Sequence, residues 1–160
     1  MAEKEVVPIG RRVRDFSLPD QDGKPLRLSA LRGQKVLLSW HPLAWTSVCA
    51  MQMKSLEKHR RTFARLGVVP LGLSVDTVPS KGAWAAHLKI GETRLLCDFW
   101  PHGAAARAQG LFRQVEGTSK RANLILDEAG KVIFVKVYPI SELPDIGEIL
   151  AFLKASPRRP

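Results

Sequence analysis

Residues 35–66 read KVLLSWHPLAWTSVCAMQMKSLEKHRRTFARL, and the fold turns on them. Val36, Leu37 and Leu38, with Trp40, form the short apolar run of a buried strand. A loop with Pro42 and Thr46 follows, and a helical pattern is expected to open at or just after Cys49. Its apolar positions are Met53, Leu56, Phe63 and Leu66; His59 and Arg60 interrupt that face, and Gly67 ends it. A cysteine where a strand gives way to a helix faces unpaired N–H groups and the positive end of the macrodipole. That setting favours the thiolate.

Working outward, Val68–Val75 is a second buried strand with an irregular start at Pro70. Strand, helix and strand imply a parallel pair joined by a right-handed crossover. Upstream, Phe16 and Leu18, a turn at Asp20–Gly23, then Leu26 and Leu28 predict an N-terminal β-hairpin, and Ser29 is expected to cap one helical turn closed by Gly33. Downstream, Ser80 is expected to cap the helix KGAWAAHL. A short third strand covers about 94–97, and an aromatic loop leads into the alanine-rich helix AAARAQG. Strands at 122–126 and 132–138 make a hairpin around Asp127–Gly130, and a last helix covers 146–153. The expected fold is α/β and thioredoxin-like, a mixed central sheet with helices on both faces. Residues 1–12 read as a lead-in, 13–153 as a single domain and 154–160 as a basic tail.

The 160-residue chain is 45% hydrophobic and 25% charged, an ordinary globular composition that argues against wholesale disorder. No apolar run reaches the ~20 residues that span a bilayer. The start, MAEKEVVPIGRR, lacks the apolar core of a secretory signal, and two cysteines are too few for a disulfide framework, so the cytoplasm is expected. The net charge of +10 gathers at the ends and along the helix after Cys49, and reads as a solvated face with basic tails. No nucleic-acid-reading motif accompanies it. The cysteines and histidines show no metal-ligand spacing, and no metal or cofactor is expected.

Pro42, Thr46 and Cys49 stand in a P-x-x-x-T-x-x-C pattern, and the chain here resembles the peroxiredoxins. The resemblance runs over about residues 10–153 and includes DFSLPDQDG, VLLSWHPLAWTSVC, LLCDFWPHG and RANLILDEAGKV in the same order. It implies a thiol peroxidase that reduces hydrogen peroxide or organic hydroperoxides through a sulfenic acid on Cys49. Thioredoxin, glutaredoxin or a small thiol would recycle it, and the resemblance suggests a homodimer. Thr46 would set its hydroxyl beside the sulfur, Pro42 would shield the sulfur, and Arg121 matches the arginine that lies against it. Gln52 stands where the family often supports that arginine, His41 reads as a pocket wall rather than a base, and Ser47 replaces a common proline. Trp45, Phe99, Trp100 and Pro101 would line either the peroxide entrance or a dimer surface.

Ionisation alone does not make a thiol fast. Lowering a thiol from pKa about 8.5 to about 6 raises the thiolate fraction at pH 7 roughly thirtyfold. With a Brønsted slope of about 0.45 the weaker base is roughly thirteenfold less nucleophilic, so the net gain is about two- to threefold. The speed must come from groups that hold the transition state. Cys97 is either a resolving cysteine or a buried core residue. Its strand is expected two strands from that of Cys49, about 9.6 Å away, beyond the ~7 Å reach of a disulfide, so a one-cysteine mechanism is expected. The rival readings are a disulfide oxidoreductase, which would want a cysteine where Gln52 stands, and a non-enzymatic basic binding or holdase protein.

Overall fold

The computed structural model describes residues 4–157, so residues 1–3 of the lead-in and 158–160 of the basic tail, with Arg158 and Arg159, lie outside the described residues. The chain opens with the hairpin β1 (Ser17–Pro19) and β2 (Pro25–Arg27) and a 3-10 turn at Leu28–Leu31. The strand β3 (Lys35–Trp40) follows, then α1 (Ser47–Lys58), α2 (Arg60–Arg65), β4 (Val68–Ser74), α3 (Val78–Leu88) and β5 (Arg94–Cys97). After α4 (Ala104–Ala108) come a small hairpin, β6 (Phe112–Arg113) with β7 (Thr118–Ser119), the hairpin β8 (Arg121–Leu126) with β9 (Val132–Tyr138), and α5 (Ile146–Ala155).

The central sheet has the order β5-β4-β3-β8-β9. β3, β4 and β5 are parallel, as the strand–helix–strand pattern requires, while β8 runs antiparallel to β3 and β9 antiparallel to β8. Alternation along the strands divides the core into two layers. Val36, Leu38 and Trp40 join Leu71, Leu73, Leu124 and Leu126 on one face. Leu37 and Ile125 face the other way, with Met53, Leu56 and Phe63 of the crossover helices, Trp84 and Leu88 of α3, and Ile149 and Leu153 of α5. The same alternation turns Ser39 and the following His41 towards α1 and α3, and Arg121 towards α1.

Several elements differ from the sequence reading. The crossover helix starts at Ser47, with Thr46 in extended backbone as its N-cap, so Cys49 lies inside the first turn rather than at its threshold. The helix also breaks at His59 (φ −100°, ψ 14°), where the imidazole Nδ1–H donates to the Ser55 carbonyl at 2.8 Å. Ser29 caps nothing: its amide and hydroxyl both donate to Asp15, at 2.9 and 2.8 Å. Thr77, not Ser80, is the N-cap of α3, its hydroxyl accepting from the Ser80 amide. The lead-in is docked from residue 4: Lys4 donates to the Ala108 carbonyl, Val7 to that of Gln109 and Gly10 to that of Val132. Gly110 (φ +73°) permits that docking, since a Cβ there would lie 2.0 Å from the Glu5 carbonyl oxygen.

Candidate active site

Cys49 is the third residue of α1 and is 1% exposed. The amides of a first helical turn have no intrahelical acceptor, and Thr46 does not cap them through its side chain. They are left for a negative charge near the sulfur. The Thr46 hydroxyl donates instead to the Leu43 carbonyl at 2.8 Å, which leaves its oxygen free to accept. Pro42 is buried and Thr46 is exposed, so the loop presents a closed wall on one side and an open hydroxyl on the other.

Arg121 reaches the sulfur from the first residue of β8. Its Nη1 donates to Cys49 Sγ at 3.4 Å and to Gln52 Oε1 at 2.7 Å, and its Nε donates to the Ile140 carbonyl at 2.9 Å. Gln52, one helical turn beyond Cys49, is 2% exposed and is itself fixed. Its amide nitrogen donates to Ser39 Oγ at 2.8 Å and to the Trp40 carbonyl at 3.1 Å, which turns its oxygen to the guanidinium. Helix and sheet are thus tied together through the arginine beside the sulfur.

The remaining residues singled out from the sequence are dispersed. Trp45, at φ +69°, is 54% exposed; its indole N–H donates to Ser80 Oγ at 3.2 Å and its ring lies against His87 of α3. Phe99 and Trp100 stand in the β5–α4 loop with both rings edge-on to His102, and no hydrogen bond or ring contact among the described residues ties them to Cys49. Cys97 ends β5, paired with Ser74 of β4, so one strand separates it from β3, as expected. It is 2% exposed, its nearest polar contacts are the Asp20 and Leu95 carbonyls at 3.9 and 4.0 Å, and burial pushes its thiol up to about 11.

His41 is fully buried, and its principal partner is one that sequence reasoning missed. Lys81 of α3, itself 0% exposed, lies 2.6 Å from His41 Nε2. Burial and the adjacent ammonium hold His41 well below the usual imidazole range, so the ring is neutral. Its Nε2 accepts from Lys81, which leaves the proton on Nδ1, facing the Ser39 carbonyl. The signal was present in the sequence. Lys81, Trp84, Ala85 and Leu88 are the buried residues of α3 and fall at i, i+3, i+4 and i+7, so the lysine occupies an apolar-face position.

Among the described residues no group of three or more His, Cys, Asp or Glu could hold a metal ion, and no helix is long and apolar enough to cross a membrane.

Known proteins resemble this chain in sequence and fold. A profile of the AhpC/TSA family matches residues 9–135. Alkyl hydroperoxide reductase E of Mycobacterium tuberculosis is 34% identical over 139 residues, covering 86% of this chain and 90% of the relative. Peroxiredoxin 2 of Thermoplasma acidophilum is 32% identical over 152 residues, 92% of this chain and 75% of the relative. The crystal structure of peroxidoxin BcpB from Mycobacterium tuberculosis superposes with a TM-score of 0.82 at 29% identity, covering 93% of this chain and 97% of that one. The chain is therefore a thiol-dependent peroxidase of thioredoxin-like fold. More narrowly, it belongs to the AhpC/TSA family, the peroxiredoxins.

Proposed function

We propose that Cys49 is the peroxide-reducing thiol of a one-cysteine mechanism. The observation that carries this reading is the Arg121 guanidinium at 3.4 Å from Cys49 Sγ, steered by Gln52 at 2.7 Å. The Cys49 thiolate attacks one oxygen of the peroxide; the S–O bond forms as the O–O bond breaks, and water or an alcohol leaves once the departing oxygen takes a proton. Arg121 and the first-turn amides of α1 face the charge that develops on the two oxygens. Thr46, its own proton committed to the Leu43 carbonyl, accepts the peroxide O–H and fixes its angle of approach. Buried Pro42 keeps water from the back of the sulfur.

The sulfenic acid then condenses with an external thiol, releasing water, and a second thiol reduces the mixed disulfide. Thioredoxin, glutaredoxin or a low-molecular-weight thiol fills that role, since Cys97 is buried, protonated and one strand removed. Organic hydroperoxides are favoured beside hydrogen peroxide, in line with the name of the mycobacterial alkyl hydroperoxide reductase. Exposed Leu43, Trp45 and Met51 around the loop favour a homodimer as the working form. The cytoplasm is the compartment that fits a chain working through a free thiol. Dimedone trapping with peptide mass spectrometry tests the assignment: one equivalent of peroxide should label Cys49, and Cys49→Ser should abolish peroxide consumption. Label on Cys97 alone would overturn it.

A further inference from the structure

We propose that Lys81 is a positioning residue for peroxide reduction at Cys49. Its buried ammonium holds the 41–46 loop from below, through His41 on one side and through Ser74 and Asp76 on the other. The proposal rests on Cys49 as the reacting thiol and adds a second layer beneath it.

Four contacts make the brace. Lys81 Nζ donates to His41 Nε2 at 2.6 Å and, in a close contact, to Ser74 Oγ. The Ser74 hydroxyl donates to Asp76 Oδ2 at 2.6 Å. The same carboxylate oxygen accepts the Ala44 amide at 2.8 Å. A buried cation, a hydroxyl and a carboxylate thus end on the backbone of the loop, two residues from Thr46. On the other side, His41 immediately precedes Pro42. Its own backbone is pinned by the Leu73 carbonyl at 3.0 Å and by the Ser119 hydroxyl at 2.9 Å, and its ring lies 5.5 Å from Trp84.

The loop has a reason to be held. Trp45 adopts φ +69°, a left-handed conformation that a bulky side chain disfavours and that persists only where the surroundings impose it. If the loop relaxed, the Thr46 hydroxyl and the start of α1 would move together. A lysine that only filled space would be better replaced by methionine, because burying an ammonium opposes folding. Here burial lowers Lys81 to about 8, with the nearby Asp76 carboxylate holding it from falling further. It is therefore charged at pH 7 and sheds its proton just above.

The groups facing Lys81 are His41 after β3, Ser74 and Asp76 at the end of β4, Cys97 on β5, Cys49 on α1 and, against His41, Arg121 on β8. His41 stays neutral and Cys97 is pushed up to about 11, so neither changes charge between pH 7 and 9. Above pH 8 the neutral amine keeps two N–H donors, enough for His41 and Ser74, but loses the charge that strengthens them.

Stopped-flow oxidation by hydrogen peroxide, followed by tryptophan fluorescence from pH 5.5 to 9.5, tests the proposal on wild type, Lys81→Gln and Lys81→Met. The wild-type rate constant should fall about five- to tenfold across a limb centred near pH 8, the difference between charged and neutral hydrogen bonds. Lys81→Gln, which keeps donors without charge, should lack that limb and sit near the wild-type alkaline plateau. Lys81→Met should be several-fold slower still. A wild-type profile without the limb, a limb retained in Lys81→Gln, or wild-type speed in Lys81→Met would overturn the proposal. Should Lys81→Met not fold by circular dichroism, the other two profiles still decide. Failure of the Cys49 assignment would look different: Cys49→Ser would go on consuming peroxide.

Discussion

Arg121→Lys keeps a cation at the start of β8 and removes the fork. In the wild type a single guanidinium serves Cys49 Sγ and Gln52 Oε1 through Nη1 and the Ile140 carbonyl through Nε, so its plane is fixed on two sides. A lysine ammonium is a compact point charge on a shorter reach and cannot meet all three acceptors in that plane. Two accounts of the arginine then give different numbers. If it serves only to ionise the thiol, weakening its pull matters little. Moving a thiol from pKa about 6 to about 7.5 reduces the thiolate at pH 7 about fourfold. At a slope of about 0.45 each remaining thiolate becomes about fivefold more nucleophilic, and the two nearly cancel. If the guanidinium instead grips the peroxide oxygens as charge moves onto them, losing a preorganised donor lowers the rate about 10²- to 10³-fold. The second outcome is expected. Iodoacetamide alkylation across pH reports the thiolate, and stopped-flow peroxide oxidation of the same preparation reports the reaction. The variant should alkylate within a few-fold of wild type at pH 7 while its peroxide rate constant drops about a hundredfold or more. Alkylation and oxidation that fall in parallel, or a rate constant within fivefold of wild type, would refute the transition-state role.

Cys97→Ser should leave turnover with an external thiol within about twofold, because a thiol at about 11 is ionised at pH 7 to only about one part in 10⁴. Intact mass of the peroxide-treated wild type checks this, and an internal disulfide between residues 49 and 97 would contradict it. Asp98, fully buried at the end of β5, accepts the Ala105 and Ala106 amides at 3.1 and 2.9 Å, yet burial pushes its carboxyl up to about 6. Its folded pKa lies above the unfolded value of 3.8, so the folded state holds the extra proton, and the stability it adds is present below pH 3.8 and lost as pH rises through 6. Urea unfolding should show wild type losing about 2 kcal/mol relative to Asp98→Asn between pH 4 and 7, and a constant difference would rule this out.

The parts of the site that follow from local pattern were legible. An apolar run, a proline-bearing loop and a helical period place Cys49 at a helix start with no knowledge of the rest of the chain. Arg121 was different. Nothing in its neighbourhood distinguishes it among 25 basic residues, and only the family pattern brought it forward. The physical cause of its position lies in the sheet: the Trp40–Ala122 pair puts the next residues, His41 and Arg121, side by side at the strand ends. Thr46 shows the opposite limit. Its place three residues before the cysteine is plain in the sequence, but which acceptor its hydroxyl takes depends on the Leu43 carbonyl, and that follows from a turn around Trp45 at positive φ that no periodicity encodes. The break at His59 was foreshadowed by the interrupted apolar face, whereas the docking of residues 4–10 depends on contacts with 108–110 and 132 that no local pattern contains.

The sheet register also explains why a second polar layer lies under the cysteine. The parallel strands end together beside the start of antiparallel β8, and alternation turns one residue at each of these ends towards α1 and α3: Cys97 of β5, Ser74 of β4, His41 just after β3 and Arg121 at the start of β8. In an interior built of leucine and methionine such a row needs charge and hydrogen-bond donors to satisfy it. Arg121 brings them from within the row, and Lys81 is supplied from the helix above. One cation meets the sulfur and the other meets the loop. The first lies within reach of the reacting atoms, the second is separated from them by His41, Ser74 and Asp76, and so the two should fail in different ways. Loss of the Arg121 fork lowers the peroxide rate at every pH, whereas loss of the Lys81 charge reproduces, at neutral pH, what alkali does to the wild type.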